Sequence, residues 1–248
     1  MVMDYLVGVL GGMGPAATVD FMNKIIEMTD ADGDQQHIPM LVSSIPNIPD
    51  RSAHFLRNGE SPQSALIYRL RMLEKAGVSC VVMPCNTAHY WFPQLKAALS
   101  EEVEMLNLID AVVEAVREAG LSRVGLLATD ATVMTGMYQT ALEKAGIEYV
   151  MPEGITQKAV MVGIYALKAG DLLKARDCLA APCQYLQLYK AEALILGCTE
   201  IPLILAEEIR KEPEYYLDSN RILARATIRW YENKAGKRLL KPSWGEGE

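Results

Sequence analysis

Two stretches decide the reading: Cys80-Val-Val-Met-Pro-Cys-Asn-Thr-Ala-His89 and Ala193-Leu-Ile-Leu-Gly-Cys-Thr-Glu200. Each opens on a short, unbroken apolar run. Such a run, closed by a turn residue, predicts a strand buried on both faces. Each then passes through Pro or Gly to a cysteine with polar residues directly after it. Tyr5–Leu10, Met40–Ser43 and Val124–Ala128 read as strands of the same kind. Helical patterns fill the intervals at Ala16–Thr29, Ser64–Ala76, Gln94–Leu99, Leu108–Ala119, Thr132–Ala145, Ala159–Ala169, Leu172–Tyr189 and Asn220–Ala235. Gly77, Gly120 and Gly146 each follow a helical pattern, where a glycine closes a helix. Alternation of this kind predicts an α/β fold of parallel β-sheet flanked by helices.

The pattern occurs twice. Val7-Gly-Val-Leu resembles Val124-Gly-Leu-Leu, and Pro84-Cys-Asn-Thr resembles Gly197-Cys-Thr-Glu, in the same order and at similar spacing. Two similar α/β halves follow from this repeat. Ligands of open α/β sheets bind at the carboxyl ends of the strands. Cys85 and Cys198 both stand there, and they face each other if the halves do.

Composition narrows the function classes. The chain has 248 residues, half of them hydrophobic, and a net charge of -7 with no block of like charges. That is enough chain for a substantial core. No basic footprint for nucleic acid is visible, and no run approaches the roughly 18 apolar residues of a membrane span. Tyr5–Leu10 lacks a basic leader and runs into Gly-Gly-Met-Gly, which reads against a signal peptide. Five cysteines, an odd number, then point to reduced thiols and a cytoplasmic setting. His37, His54 and His89 are scattered and no CxxC occurs, so no metal site is expected. Cys80, Cys178 and Cys183 lack the strand-end context and are expected to pack as small hydrophobes.

A thiol titrates near pH ~8.5, so both protonation states are accessible near neutrality. A pair of thiols therefore suits a reaction that removes a proton from one face of a carbon and delivers one to the other. Without a cofactor as electron sink, such a step needs donors where charge builds on a substrate carboxylate. Asn86, Thr87 and Thr199, next to the two cysteines, can supply them; they can also cap helices. The loop Gly11-Gly-Met-Gly-Pro15 follows a strand and precedes a helix. It lacks the lysine of a P-loop and the spacing of a dinucleotide fingerprint. It could cradle a carboxylate through backbone N–H groups, or be a tight turn.

Gly11-Gly-Met-Gly-Pro, Pro49-Asp-Arg51, Pro84-Cys-Asn-Thr-Ala-His89 and Gly197-Cys-Thr-Glu200 together resemble the aspartate/glutamate racemase superfamily, most closely its aspartate racemase branch. The resemblance covers nearly the whole chain. It implies two pseudo-symmetric domains with the active site in the cleft between them, residues 1–106 with 212–248 and residues 107–211. It implies racemisation of an acidic amino acid without pyridoxal phosphate or other cofactor, by two bases, in a homodimer. Cys85 and Cys198 match the catalytic pair. Asn86, Thr87 and Thr199 match residues that hold the α-carboxylate, and Thr129 and Thr132 resemble the matching loop of the second domain. Met13, in the glycine loop, falls with the substrate-binding residues. Arg51 and Lys168 match positions that bind the distal carboxylate, a role an arginine fork suits.

Glu200 stands where glutamate racemases typically carry a histidine. It would oppose ionisation of Cys198 or hold the substrate ammonium, and the second role is preferred here. His89 could activate the Cys85 thiol, but a helix-start or packing role is preferred. The same scaffold also hosts hydantoin racemases, maleate isomerases and arylmalonate-decarboxylase-like lyases, and a non-catalytic amino acid binder is a further alternative. The two cations at Arg51 and Lys168 favour a dicarboxylic substrate. Aspartate and glutamate are not separated, because one methylene of pocket depth is worth only ~1–3 kcal/mol.

Overall fold

A computed structural model describes residues 5–241 of the chain. Strands β1 (Val7–Gly11), β2 (Met40–Ser44), β3 (Cys80–Val82) and β4 (Glu104–Met105) form one four-stranded sheet in the order β2-β1-β3-β4. Strands β5 (Arg123–Ala128), β6 (Glu148–Val150), β7 (Ala193–Gly197) and β8 (Tyr216–Asp218) form a second in the order β6-β5-β7-β8. Every pairing is parallel. The two orders are the same once β5 is matched to β1 and β7 to β3, so the repeat in the sequence is a repeat in the topology.

The five strands expected from apolar runs are the inner strands β1, β3, β5 and β7 and the edge strand β2. The three edge strands β4, β6 and β8 escape the sequence reading. They have only two or three residues each, and β4 and β6 are only partly buried. Strands so short carry no periodic signal.

The expected helix Thr132–Ala145 is two helices, Asp130–Thr135 and Met137–Lys144. Gly136 separates them in the left-handed region, at φ 67°. A side chain there would be strained, and glycine is not. The helix Leu108–Glu118 buries Leu108, Ile109, Val112, Val113 and Val116 along one face. Asn107 caps it, its Oδ1 accepting the Ile109 N–H at 2.9 Å.

The largest core cluster runs through both halves. It joins Val7, Val9 and Phe21 on one side to Val124, Leu126 and Tyr138 on the other, with Leu223 and Ile228 of the last helix. That helix, Ser219–Ala235, packs on Pro15–Met28 of the first half and on Leu108–Glu118. The chain therefore returns across the molecule after β8. Residues 212–218, expected with the first half, run to β8, which pairs with Leu194–Leu196 in the second sheet. The return begins at Ser219. Residues 1–4 and 242–248 lie outside the described residues. Among those described, no helix is long and apolar enough to cross a membrane.

Leu126 is fully buried at the centre of β5, in the shared core. Leu126→Ala should lower the unfolding free energy by about 2–5 kcal/mol, read from urea denaturation. A loss below about 0.5 kcal/mol, within the range of surface substitutions, would contradict the shared core.

Candidate active site

The carboxyl ends of both sheets open onto one cleft. Met13 follows β1, Asp50, Arg51 and Ser52 follow β2, and Cys85, Asn86 and Thr87 follow β3. From the second half come Thr129 after β5, Cys198, Thr199 and Glu200 after β7, and Lys168 at the end of the helix Gly154–Lys168. The cleft holds about 320 Å³ of empty space, its open mouth included. Of the residues matched to catalytic or substrate-binding positions, Thr132 alone does not line it. Thr132 is fully buried behind the wall.

The two thiols sit in different electrostatic surroundings. Both are buried, at 6% exposure. Burial pushes Cys85 up, while the guanidinium of Arg51 and the N–H of Ala88 pull it down. Burial pushes Cys198 well above the ordinary thiol value, and the charge of Glu200 pushes it further, with Lys168 opposing. The contact is direct, since Cys198 Sγ–H donates to Glu200 Oε2 at 3.0 Å. Glu200 thus favours the protonated form of Cys198. Its other oxygen, Oε1, lies 3.5 Å from Lys168 Nζ. Burial pulls Lys168 down, but Glu200 and the two sulfurs outweigh it and hold Lys168 above its usual value. Both oxygens of Glu200 therefore have partners already.

Arg51 is anchored on one edge and free on another. Its Nη1 donates to the carbonyls of Ile48 and Pro49 at 3.1 and 2.9 Å. Its Nε is buried and has no partner. A buried donor left unpaired in a cleft is an energetic cost that an anion would remove.

Three threonine hydroxyls close a triangle across the two halves. Thr87 Oγ1 lies 3.1 Å from Thr129 Oγ1 and 2.8 Å from Thr132 Oγ1, and the last two lie 2.9 Å apart. The N–H of Thr132 also donates to Thr129 Oγ1, at 3.1 Å. Asn86 is tied into the protein. Its Nδ2 donates to Ser219 Oγ at 3.0 Å, and its Oδ1 accepts from Tyr138 Oη at 2.5 Å. That takes up the carbonyl and one of the two amide protons of the side chain expected to face a carboxylate.

His89 serves the helix start rather than the thiol. Its Nε2 accepts the N–H of Leu108 at 3.0 Å, and its Nδ1 meets the carbonyl oxygen of Cys85 at 2.8 Å. The ring is neutral with its proton on Nδ1, donated to Cys85. It anchors the backbone of the cysteine to the first turn of Leu108–Glu118. The glycine loop also differs from one expectation. The N–H of Gly12 donates to Thr18 Oγ1 at 2.8 Å, so it is not available to an anion. Gly14 lies close to the opposite half: a Cβ there would stand 3.3 Å from Glu200 Oε1.

Asp50 and Ser52 also line the cleft, although the sequence assigns them no role. Asp50 lies in the Pro49-Asp-Arg51 motif, and its Oδ1 accepts the Ala53 N–H at 2.6 Å to start the helix Arg51–Arg57. Cys80 is fully buried, its thiol pushed up to about 12 by burial. It is a core residue, as expected. Among the described residues no group of His, Cys, Asp and Glu could hold a metal ion.

The fold and this cleft have counterparts among known proteins. Residues 10–227 match the Asp/Glu/hydantoin racemase family, and the chain belongs to that family. Its members and neighbours are amino acid racemases, that is, isomerases. An aspartate racemase from Picrophilus torridus superposes with a TM-score of 0.82 at 36% identity, covering 95% of this chain and 96% of that one. A Pyrococcus horikoshii aspartate racemase homologue superposes with a TM-score of 0.72 at 26% identity, covering 93% of this chain and 100% of that one. In sequence, the broad specificity amino-acid racemase RacX of Bacillus subtilis is 28% identical over 91% of this chain and 98% of its own length.

Burial lowers the His89 imidazole to about 4, below the ~6.5 of an unfolded histidine. Between those values the unfolded chain binds the extra proton. The contribution of His89 is thus complete above pH ~6.5 and is lost as pH falls towards 4, at up to ~1.4 kcal/mol per pH unit. His89→Gln should be less stable than wild type at pH 7 and show a flatter stability profile from pH 6.5 to 4.5 in urea unfolding. Parallel profiles would contradict the assignment.

Proposed function

We propose that this chain interconverts the L and D forms of a dicarboxylic amino acid, aspartate first, using Cys85 and Cys198 as the two acid/base groups and no cofactor. The observation that carries the proposal is the meeting of two buried thiols, from the two repeats, in one small cleft with an unpaired arginine donor. The two catalytic halves on this reading are the domain of residues 1–106 with the helix from Ser219 onward, and the domain of residues 107–218.

The unequal surroundings of the thiols suggest how the cycle starts. Cys198 rests as a thiol on Glu200. Cys85, beside the positive charge of Arg51, is the easier one to ionise. For one enantiomer, the Cys85 thiolate takes the α-proton. The electron pair of the C–H bond moves into the α-carboxylate, with Thr87, Thr129 and Thr199, which line the cleft, as its donors. The Cys198 thiol then gives its proton to the opposite face, leaving a thiolate there. For the other enantiomer the same steps run in reverse. A small closed cleft strengthens each of these interactions by excluding water.

Charge pairing fits a zwitterion with a second carboxylate. The unpaired Nε of Arg51 suits the distal carboxylate in a forked contact, and Ser52 lines the same cleft. Lys168 and Glu200 hold each other at 3.5 Å. A substrate carboxylate could take over Lys168, and a substrate ammonium could take over Glu200 Oε1. The exchange would conserve charge and keep Glu200 Oε2 on Cys198.

The test is incubation in D2O without pyridoxal phosphate, followed by proton NMR and chiral chromatography. L-aspartate should gain α-deuterium and yield D-aspartate. L-alanine, which lacks the distal carboxylate, should react at least ~100-fold more slowly, the scale of a buried polar contact left unpaired. L-glutamate run alongside ranks the two acids. Binding of aspartate with neither exchange nor product would contradict the proposal.

A further inference from the structure

The side chain of Asn86 belongs to a buried chain of hydrogen bonds that spans the cleft from behind. Tyr138 Oη donates to Asn86 Oδ1 at 2.5 Å, Asn86 Nδ2 donates to Ser219 Oγ at 3.0 Å, and Ser219 Oγ–H donates to the carbonyl of Leu196 at 2.7 Å. Asn86 is 2% exposed, and Tyr138 and Ser219 are fully buried. The chain links Asn86, in one thiol loop, to Leu196, in the strand that leads into the other. Asn86 directly follows Cys85. Leu196 lies in β7, two residues before Cys198. Tyr138 holds the other side of Asn86 from the helix Met137–Lys144, and Ser219 is the first residue of the helix that returns to the first half.

We infer that Tyr138 and Ser219 are positioning residues which, with Asn86, form a strut fixing the Cys85 loop relative to the Cys198 loop. The inference rests on the racemase reading above. An amide pinned through both its oxygen and its nitrogen cannot rotate, so the Asn86 backbone is set relative to β7. Polar groups buried this deeply are expensive unless every link is made, and a completed network specifies one geometry. Apolar contacts would fill the same space but would not define its spacing. The reaction has a need for this spacing. Two bases must address opposite faces of one carbon, and misplacement by about an ångström can lower such a rate a hundredfold.

The readout follows from the chemistry. Exchange of the α-proton with retention needs only one thiol: proton to thiolate, solvent deuteron onto sulfur, deuteron back to the same face. Inversion needs both thiols in register. Tyr138→Phe and Ser219→Ala should each lower the kcat for racemisation by about ten- to a hundredfold. Exchange with retention should fall by no more than about threefold and KM should stay within about twofold, because in the strut variants one base and the substrate contacts remain in place. Racemisation and retentive exchange would be measured together in D2O, on protein shown to unfold cooperatively. If Ser219→Ala does not fold, the nearly isosteric Tyr138→Phe carries the test. Equal falls in exchange and inversion, or no fall in inversion, would overturn the strut. A wild-type protein that neither exchanges nor racemises would instead overturn the racemase reading itself.

Discussion

Removing Cys85 and Cys198 from water is the constraint around which this molecule is arranged. Burial raises the proton affinity of both sulfurs, which makes a thiolate a stronger base once it forms. It also makes the thiolate harder to form. Cations answer the second problem. Arg51 stands by Cys85, and Lys168 tempers the charge of Glu200 beside Cys198. The asymmetry gives the resting cleft a direction. Both thiols are held above the ordinary value, Cys198 well above it with Glu200 adding to burial, and Cys85 with Arg51 opposing burial. The pseudo-symmetric scaffold thus carries an unsymmetrical pair.

The duplicated topology supplies the geometry. Two sheets with the same strand order turn their carboxyl ends to one cleft, and the thiols follow β3 and β7, the partners of each other in the repeat. A shared core and a helix that crosses back after Asp218 hold the halves together. Polar contacts set the finer spacing. The threonine triangle links Thr87 to Thr129 and Thr132, and His89 ties the carbonyl of Cys85 to the start of Leu108–Glu118.

The inner strands were legible because buried parallel strands are written as unbroken apolar runs. The cysteines were legible because they end two such runs in matching contexts. The edge strands β4, β6 and β8 were not, since two or three residues leave no period to detect. Individual polar partners were also hidden. Asn86 read as a donor to substrate, but its oxygen and one amide proton go to Tyr138 and Ser219, far away in sequence. Lys168 matched a position that binds the distal carboxylate and is found on Glu200. The loop Gly11–Pro15 read as a carboxylate cradle or a tight turn, and the N–H of Gly12 goes to Thr18. Residue type announces that a group can donate; only the fold decides to whom.

The central claim is that the two sulfurs act on opposite faces of one carbon. Single variants test it most directly. Cys85→Ser and Cys198→Ser would each be given L-aspartate and D-aspartate separately in D2O, with α-proton loss followed by NMR. The account predicts that neither variant racemises. Each should exchange the α-proton of one enantiomer only, and the two variants should choose opposite enantiomers. Continued racemisation by either variant, or exchange of both enantiomers by a single one, would contradict it.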